Sequence, residues 1–472
     1  IASCLVGSEM CIRDRMNFKS RIIIGCLLGA CTLQVSAEKT YKYRINLRDK
    51  AETAYSVGSP QAYLSERALE RRERQGLKVD ETDLPVCRTY IDAIIGKGAS
   101  VVTKSKWNNT VVVEVVDTTL IEQIARLPFV TKTKKVWTSP DSIPARNPER
   151  RKEVTNKFSK TDNYYGQAYR QIAVHQGDSL HAAGFKGEGM QIAVIDAGFY
   201  NADEMKFFKK MHLLGIRDFV NPQSDIYAEN YHGMKVLSCL AANQPDVLVG
   251  TAPEASYWLL RSEDDDTEQP VEEDYWAAAL EFADSVGVDV VNTSLGYYEF
   301  DDKTCNYRYR DLDGHYSLMS HSASMAADKG LVVVCSAGNS GRGTWKKLTP
   351  PGDAENVITV GAMDKNLVNA DFSSVGNTAD GRVKPDVMAV GVSSAVAGND
   401  GTVSRANGTS FASPTFCGLV ACFWQACPWL TAKEVIEAVH RSADRADAPD
   451  NIYGYGVSNI WKAYQTELKK RK

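Results

Sequence analysis

From about Gly166 onward, short apolar runs rich in β-branched residues alternate with longer segments of helical character. The runs are QIAVIDAGF (191–199), ASYWLLR (255–261), VDVVNTSLG (288–296), GLVVVCSAGN (330–339) and NVITVGA (356–362). Between them lie helical segments such as MKVLSCLAA (234–242) and EDYWAAALEFADSVG (273–287). Strands apolar at nearly every position are buried on both faces, which means a mostly parallel sheet with helices on both sides. This α/β class gathers its functional groups beyond the carboxyl ends of the strands. The chemistry is therefore expected just after Ile195, Thr293 and Ser336.

Residues 38–138 form a separate unit. Tyr41–Leu47 reads as a strand, Ala62–Gly76 as a charged helical insert, and Pro85–Gly96 as a helix. Ala99–Lys106 and Thr110–Val116 read as strands, Asp117–Leu127 as a helix capped by its Asp, and Phe129–Trp137 as the last strand. That order, β-α-β-β-α-β, predicts a small α+β, ferredoxin-like sandwich. Residues 139–165 are rich in Pro, Ser and charge, and read as an exposed linker. The α/β unit then spans 166–466, and 467–472 is a basic tail.

The first fifteen residues lack an initiator Met and any period, and are set aside as a non-native leader (1–15). From Met16, the charges of Lys19 and Arg21, the apolar run Ile22–Leu33 and the small residues before Ala37 form a signal peptide over 16–37. A second reading makes Leu28-Gly29-Ala30-Cys31 a lipobox, with Cys31 the lipidated residue of an anchored protein. The apolar run is shorter than the ~20 residues of a membrane span, so none is expected. The chain is thus read as secreted, with the lipoprotein as the alternative. The 472 residues carry a net charge of −4 with 43% hydrophobic residues, which excludes a disordered chain and gives no reason to expect a nucleic-acid partner. An odd seven cysteines follow Ala37 and show no zinc spacing; buried thiols are expected, with a disulfide at Cys305 unsupported.

Three segments carry the chemistry. Asp196 ends the buried strand IAVI, His232-Gly233-Met234 opens an apolar helix, and Gly408-Thr409-Ser410-Phe411-Ala412-Ser413-Pro414 precedes another. A Ser hydroxyl needs a base to take its proton, imidazole suits that task near neutral pH, and a carboxylate must hold the imidazole in its working tautomer. A Ser at a helix N-terminus also has free backbone N–H groups beside it. A fourth segment, Ser336-Ala337-Gly338-Asn339, offers the Asn339 amide to a developing oxyanion, with the Ser410 N–H as second donor.

IAVIDAGF, HGMKV, SLG, SAGN and GTSFASP together resemble the subtilases, the subtilisin-like serine peptidases, over about Gly166–Lys462. The Asp…His…Ser order is theirs. The resemblance implies that Asp196 orients the base, His232 is general base and then acid, Ser410 is the nucleophile and Asn339 stabilises the oxyanion. It implies that 38–138 is a propeptide, a folding aid and intramolecular inhibitor whose tail lies in the active site until cut. Peptide substrates are expected to pair along Ser294, Leu295 and Gly296, with Ala337 and Gly338 as the opposite wall of the first pocket. No cofactor is required. Structural calcium occurs in the family, yet no metal ligand is assigned. Asp311-Leu312-Asp313-Gly314 reads as a solvated turn before it reads as a calcium loop, and the run Glu263–Asp266 reads as a solvated loop. The long insert Tyr297–Ser320 is expected to reshape the cleft. A catalytically silent peptide-binding pseudopeptidase on the same scaffold is the alternative, opposed by the complete triad. An α/β-hydrolase is excluded, since neither its Gly-x-Ser-x-Gly elbow nor its residue order is present.

Overall fold

The computed structural model describes residues 38–141 and 151–471; the leader, the signal segment and Cys31 lie outside them. The amino-terminal unit comprises β1 (Tyr41–Leu47), α1 (Glu66–Arg74), α2 (Arg88–Ile95), β2 (Ser100–Ser105), β3 (Thr110–Val115), α3 (Thr119–Ala125) and β4 (Val130–Thr138). Its sheet has the order β2-β3-β1-β4, with β1 antiparallel to β3 and β4. This is the ferredoxin-like sandwich with α1 inserted. The VVV run of β3 is buried on both faces for a reason. Val111 and Val113 fill the unit's own core, while Val112 joins Trp107 and Val136 in a core shared with the larger unit.

The larger unit contains a seven-stranded sheet. In chain order it has β5 (Gln191–Asp196), β6 (His212–Asp218), α4 (His232–Ala241), β7 (Ser256–Arg261), α5 (Val271–Val286) and β8 (Val290–Thr293). There follow β9 (Val332–Ser336), β10 (Ile358–Met363), β11 (Val387–Val390), α6 (Thr409–Ala426) and α7 (Ile460–Arg471). The strand order is β11-β10-β9-β8-β5-β7-β6, and every neighbouring pair is parallel. Alternate residues of β5 enter opposite cores: Ile192 and Val194 pack on the α4 and α6 side, Ala193 and Ile195 on the α5 side. That double burial is what the unbroken apolar runs encode.

Two strands of this sheet escape the sequence reading. The edge strand β6, HLLGIRD, is mostly exposed or half-buried, so it lacks an apolar run. The strand β11 is only four residues long. The basic tail is also more ordered than a frayed end: α7 runs to Arg471, whose guanidinium lies 4.3 Å over the Trp429 ring.

The two units meet along α5. In the charged helical insert, α1 buries two of its charges: Arg71 and Arg72 are 1% exposed and both pair with Asp284 of α5, at 2.6 and 2.9 Å. Arg72 also pairs with Asp83 at 2.8 Å, and Lys106 reaches Asp284 at 3.3 Å. One turn away, the Glu281 carboxylate accepts from the Lys106 and Trp107 backbone N–H groups at 2.7 and 3.0 Å and from the Ser105 hydroxyl. Arg44 of β1 grips Asp274 at 2.6 Å. Buried ions survive only when paired in this manner.

The stretch read as an exposed linker is docked over its second half. Phe158 packs on Phe207 with ring centroids 4.9 Å apart, and the Thr161 N–H donates to the Asp246 carbonyl at 2.7 Å. Arg151 donates to Asn201 Oδ1 at 2.8 Å and pairs with the Asp203 carboxylate.

Candidate active site

Asp196, His232 and Ser410 each sit at a strand or helix end, and Asn339 lies in the loop after a strand. Asp196 is the last residue of β5 and is fully buried. Arg261, at the end of β7, fixes the chain beyond it: its Nε donates to the Ala197 carbonyl at 3.0 Å while Nη1 pairs with Asp218 at 2.9 Å. His232 opens α4, and its backbone N–H donates to Asn230 Oδ1 at 2.6 Å. Ser410 is in the first turn of α6, where backbone N–H groups have no intrahelical acceptor.

Asp196 Oδ1 lies 2.7 Å from His232 Nδ1 and also accepts the Ala197 N–H at 2.8 Å. The second oxygen, Oδ2, is buried with no hydrogen-bond partner among the described residues. Burial by itself lowers the affinity of the His232 ring for a proton. The adjacent Asp196 charge and hydrogen bond, helped by Glu263 and Asp265, outweigh it and raise the ring from the ordinary 6.5 to about 9.

Ser410 is 6% exposed, and its hydroxyl donates to the Ser294 carbonyl at 3.3 Å rather than to the His232 ring. Ser294 returns the contact, its hydroxyl donating to the Ser410 carbonyl at 3.0 Å. The same hydroxyl accepts from Asn292 Nδ2 at 3.3 Å, and Asn292 Oδ1 accepts from Ser413 at 2.9 Å. The end of β8 and the start of α6 are thus laced together.

Asn339 has a directed amide. Its Oδ1 accepts the Thr409 N–H at 2.9 Å and the Thr409 hydroxyl at 3.1 Å. With the oxygen occupied by the start of α6, the NH₂ group is turned the other way. The preceding Gly338 has φ +99°, and a Cβ there would meet Ser374 Oγ and Thr349 Oγ1 at 2.9 Å, so only glycine fits this turn.

A cleft of about 440 Å³ runs past these groups. His232, Asn339, Gly338 and the segment Ser294–Gly296 line it; Ser410 does not, but it is hydrogen-bonded to Ser294, which does. Ala337 does not line it: that residue is fully buried, its N–H donating to the Val360 carbonyl and its own carbonyl accepting from the Thr349 N–H. Of the long insert, Tyr298 reaches the cleft and stacks on Trp345 at 4.7 Å, while Tyr297, Phe300 and Tyr307 pack into the α5-side core. The acidic run is not simply a solvated loop, because Glu263 and Asp265 also line the cleft. Sequence reading missed them because a run of four acidic residues carries no information on which face each will take. Among the described residues no group of His, Cys, Asp or Glu could hold a metal ion. Asp313 caps its own turn, accepting the His315 and Tyr316 N–H groups at 2.9 and 2.8 Å. The cysteines from Cys87 to Cys427 are free thiols, Cys305 included. Buried His175 and His181 are pushed down to about 4 by burial and so are neutral packing groups.

Comparison with known proteins gives the same picture from outside. A model of the subtilase family matches residues 187–456, and a model of the Bacteroidota peptidase S8 propeptide domain matches residues 42–169. Among curated proteins, subtilisin DY of Bacillus licheniformis is 31% identical over 300 residues, covering 62% of this chain and 97% of that protein. Serine protease AprX of Bacillus subtilis is 30% identical over 323 residues, covering 58% of this chain and 65% of that protein. Subtilisin NAT of Bacillus subtilis subsp. natto is 29% identical over 297 residues, covering 62% of this chain and 70% of that protein.

Proposed function

Since this chain belongs to the subtilase family, as a subtilisin-like serine endopeptidase with an N-terminal propeptide, we propose that Ser410 is its nucleophile, His232 its base, Asp196 the orienting carboxylate and Asn339 an oxyanion donor. The observation that carries the assignment is the 2.7 Å contact between Asp196 Oδ1 and His232 Nδ1 beside the cleft.

In this reading a peptide lies along Ser294–Gly296, with Gly338 on the facing wall. Rotation about the Ser410 Cα–Cβ bond carries its hydroxyl from the Ser294 carbonyl to the imidazole. Ser410 Oγ then attacks the scissile carbonyl carbon as the ring takes its proton. The Asn339 NH₂ and the Ser410 N–H hold the resulting oxyanion. The imidazolium returns the proton to the leaving amine, the C–N bond breaks, and water releases the acyl group by the same steps in reverse. Asp196 keeps Nδ1 protonated throughout.

Residues 38–138 are the inhibitory propeptide in this account, clamped on α5, and 166–466 the catalytic unit. The cut falls between Thr138 and Arg151, since the chain from Arg151 is docked on the catalytic unit. Arrival outside the cytoplasm rests on the signal segment 16–37, with Cys31 lipidation as the second reading. No helix among the described residues is long and apolar enough to cross a membrane. The test is expression of the wild type beside Ser410→Ala. Two fragments from the wild type and one uncut chain from the variant are expected. Identical cutting of both would overturn the assignment.

A further inference from the structure

The cleft holds a carboxyl group to which the hydrolytic account gives no chemical step. Glu263 lines it beside His232, and among the described residues no hydrogen bond or ion pair engages its carboxylate. Asp265, further out on the same wall, accepts from Asn230 Nδ2 at 2.5 Å and adds a second negative charge. Among the described residues, three buried hydroxyls have no hydrogen-bond partner, Ser262 Oγ, Thr267 Oγ1 and the Tyr297 phenol, and none of the three lines the cleft. Burial raises the Tyr297 phenol, and the charges of Glu272, Glu263 and Glu268 raise it further.

We propose that this wall is a specificity site for a cationic side chain of the peptide substrate, with Glu263 as its principal counter-charge. The inference rests on the peptidase reading above and names its substrate class.

An unpaired carboxylate held partly out of water is costly, and a cation that enters beside it recovers that cost. Burial, with the neighbouring negative charge of Asp196, raises Glu263 to about 8, so near neutral pH its carboxyl is largely protonated and a cation entering beside it favours the ionised form. A guanidinium matches the wall best. It offers several N–H donors in a plane, enough to meet one carboxylate through two hydrogen bonds at once. The chain carries such side chains between its two units, at Arg146 and Arg150.

The experiment uses the processed enzyme and matched fluorogenic peptides that carry arginine or its neutral isostere citrulline, moved through each position on the amino side of the cleaved bond. At one position the arginine peptide is expected to have a kcat/KM higher by roughly tenfold or more, a preference of the size that a half-buried charge pair provides. Glu263→Gln is expected to bring that ratio close to one, and Glu263→Asp to keep most of it. Equal rates on both peptides at every position in the wild type would overturn the proposal while leaving the peptidase reading intact. So would a ratio unchanged in Glu263→Gln. Cleavage of no peptide at all would overturn the peptidase reading, and this proposal with it.

Discussion

Ser410 and Ser294 are tied to each other twice: the Ser410 hydroxyl donates to the Ser294 carbonyl at 3.3 Å, and the Ser294 hydroxyl donates back to the Ser410 carbonyl at 3.0 Å. This reciprocal pair joins the end of β8 to the first turn of α6. With its hydroxyl on the Ser294 carbonyl, Ser410 makes no hydrogen bond to the His232 ring in this arrangement. Ser294→Ala removes one bond of the pair and deprives Asn292 Nδ2 of its acceptor. A stability loss of about 1–3 kcal/mol is expected, the usual cost of an unmet buried donor. Urea unfolding of Ser294→Ala in the Ser410→Ala background, which prevents self-digestion, measures it. An unchanged midpoint would show that the lacing is idle.

The pH profile follows from His232. Only the neutral ring can take the Ser410 proton, and its protonated form is favoured up to about 9. The value of kcat/KM should therefore climb about tenfold per pH unit on the acid side and level off near pH 9, above the ordinary imidazole value of 6.5. Asp265→Asn removes one of the charges that raise the ring, and should shift the acid limb to lower pH. A plateau already reached by neutral pH in the wild type would contradict this.

Asn339 has separable halves. Its oxygen caps Thr409, while its NH₂ is the proposed oxyanion donor. Asn339→Asp keeps an acceptor for Thr409 and loses the donor. Both Asn339→Ala and Asn339→Asp should lower kcat by on the order of 10²–10³ with little change in KM, the size of loss known for such a donor in subtilisin. If Asn339→Asp alone retained full kcat, the residue would be a cap and no more.

The clamp on the propeptide depends on Asp284. Arg71, Arg72 and Lys106 all converge on that one carboxylate, and together they hold it far below the usual range. Asp284→Asn leaves two buried guanidinium groups short of their counter-charge. Breaking a buried pair from one side costs about 3–5 kcal/mol, so the cut propeptide should leave on the order of 10² times faster or more. The lag before peptidase activity appears after processing measures that rate. An unchanged lag would mean the inhibitor is held elsewhere.

The parallel sheet was legible because its strands are buried on both faces and so are apolar at successive positions. Asp196, His232 and Ser410 stand out in the sequence because each stands at the end of such an element, within a motif, and the structure brings Asp196 and His232 into contact. What escaped has a common cause. β6 is an edge strand whose Leu213 and Ile216 are 39% and 45% exposed, so it has no buried face to write a pattern. Arg71 and Arg72 look like solvated charges, because their partner Asp284 lies more than two hundred positions away. Glu263 is indistinguishable in sequence from Asp266, which does not line the cleft. The loop turns one carboxylate inward and leaves the other out, and only long-range packing decides which.

The most direct test of the central claim is the site of reaction with a serine-directed fluorophosphonate, located by peptide mass mapping of the processed enzyme. A single adduct on Ser410, absent from the Ser410→Ala chain and strongly slowed in His232→Ala, is the result expected here. An adduct on another residue, or no reaction in an enzyme that still cleaves peptides, would contradict the account.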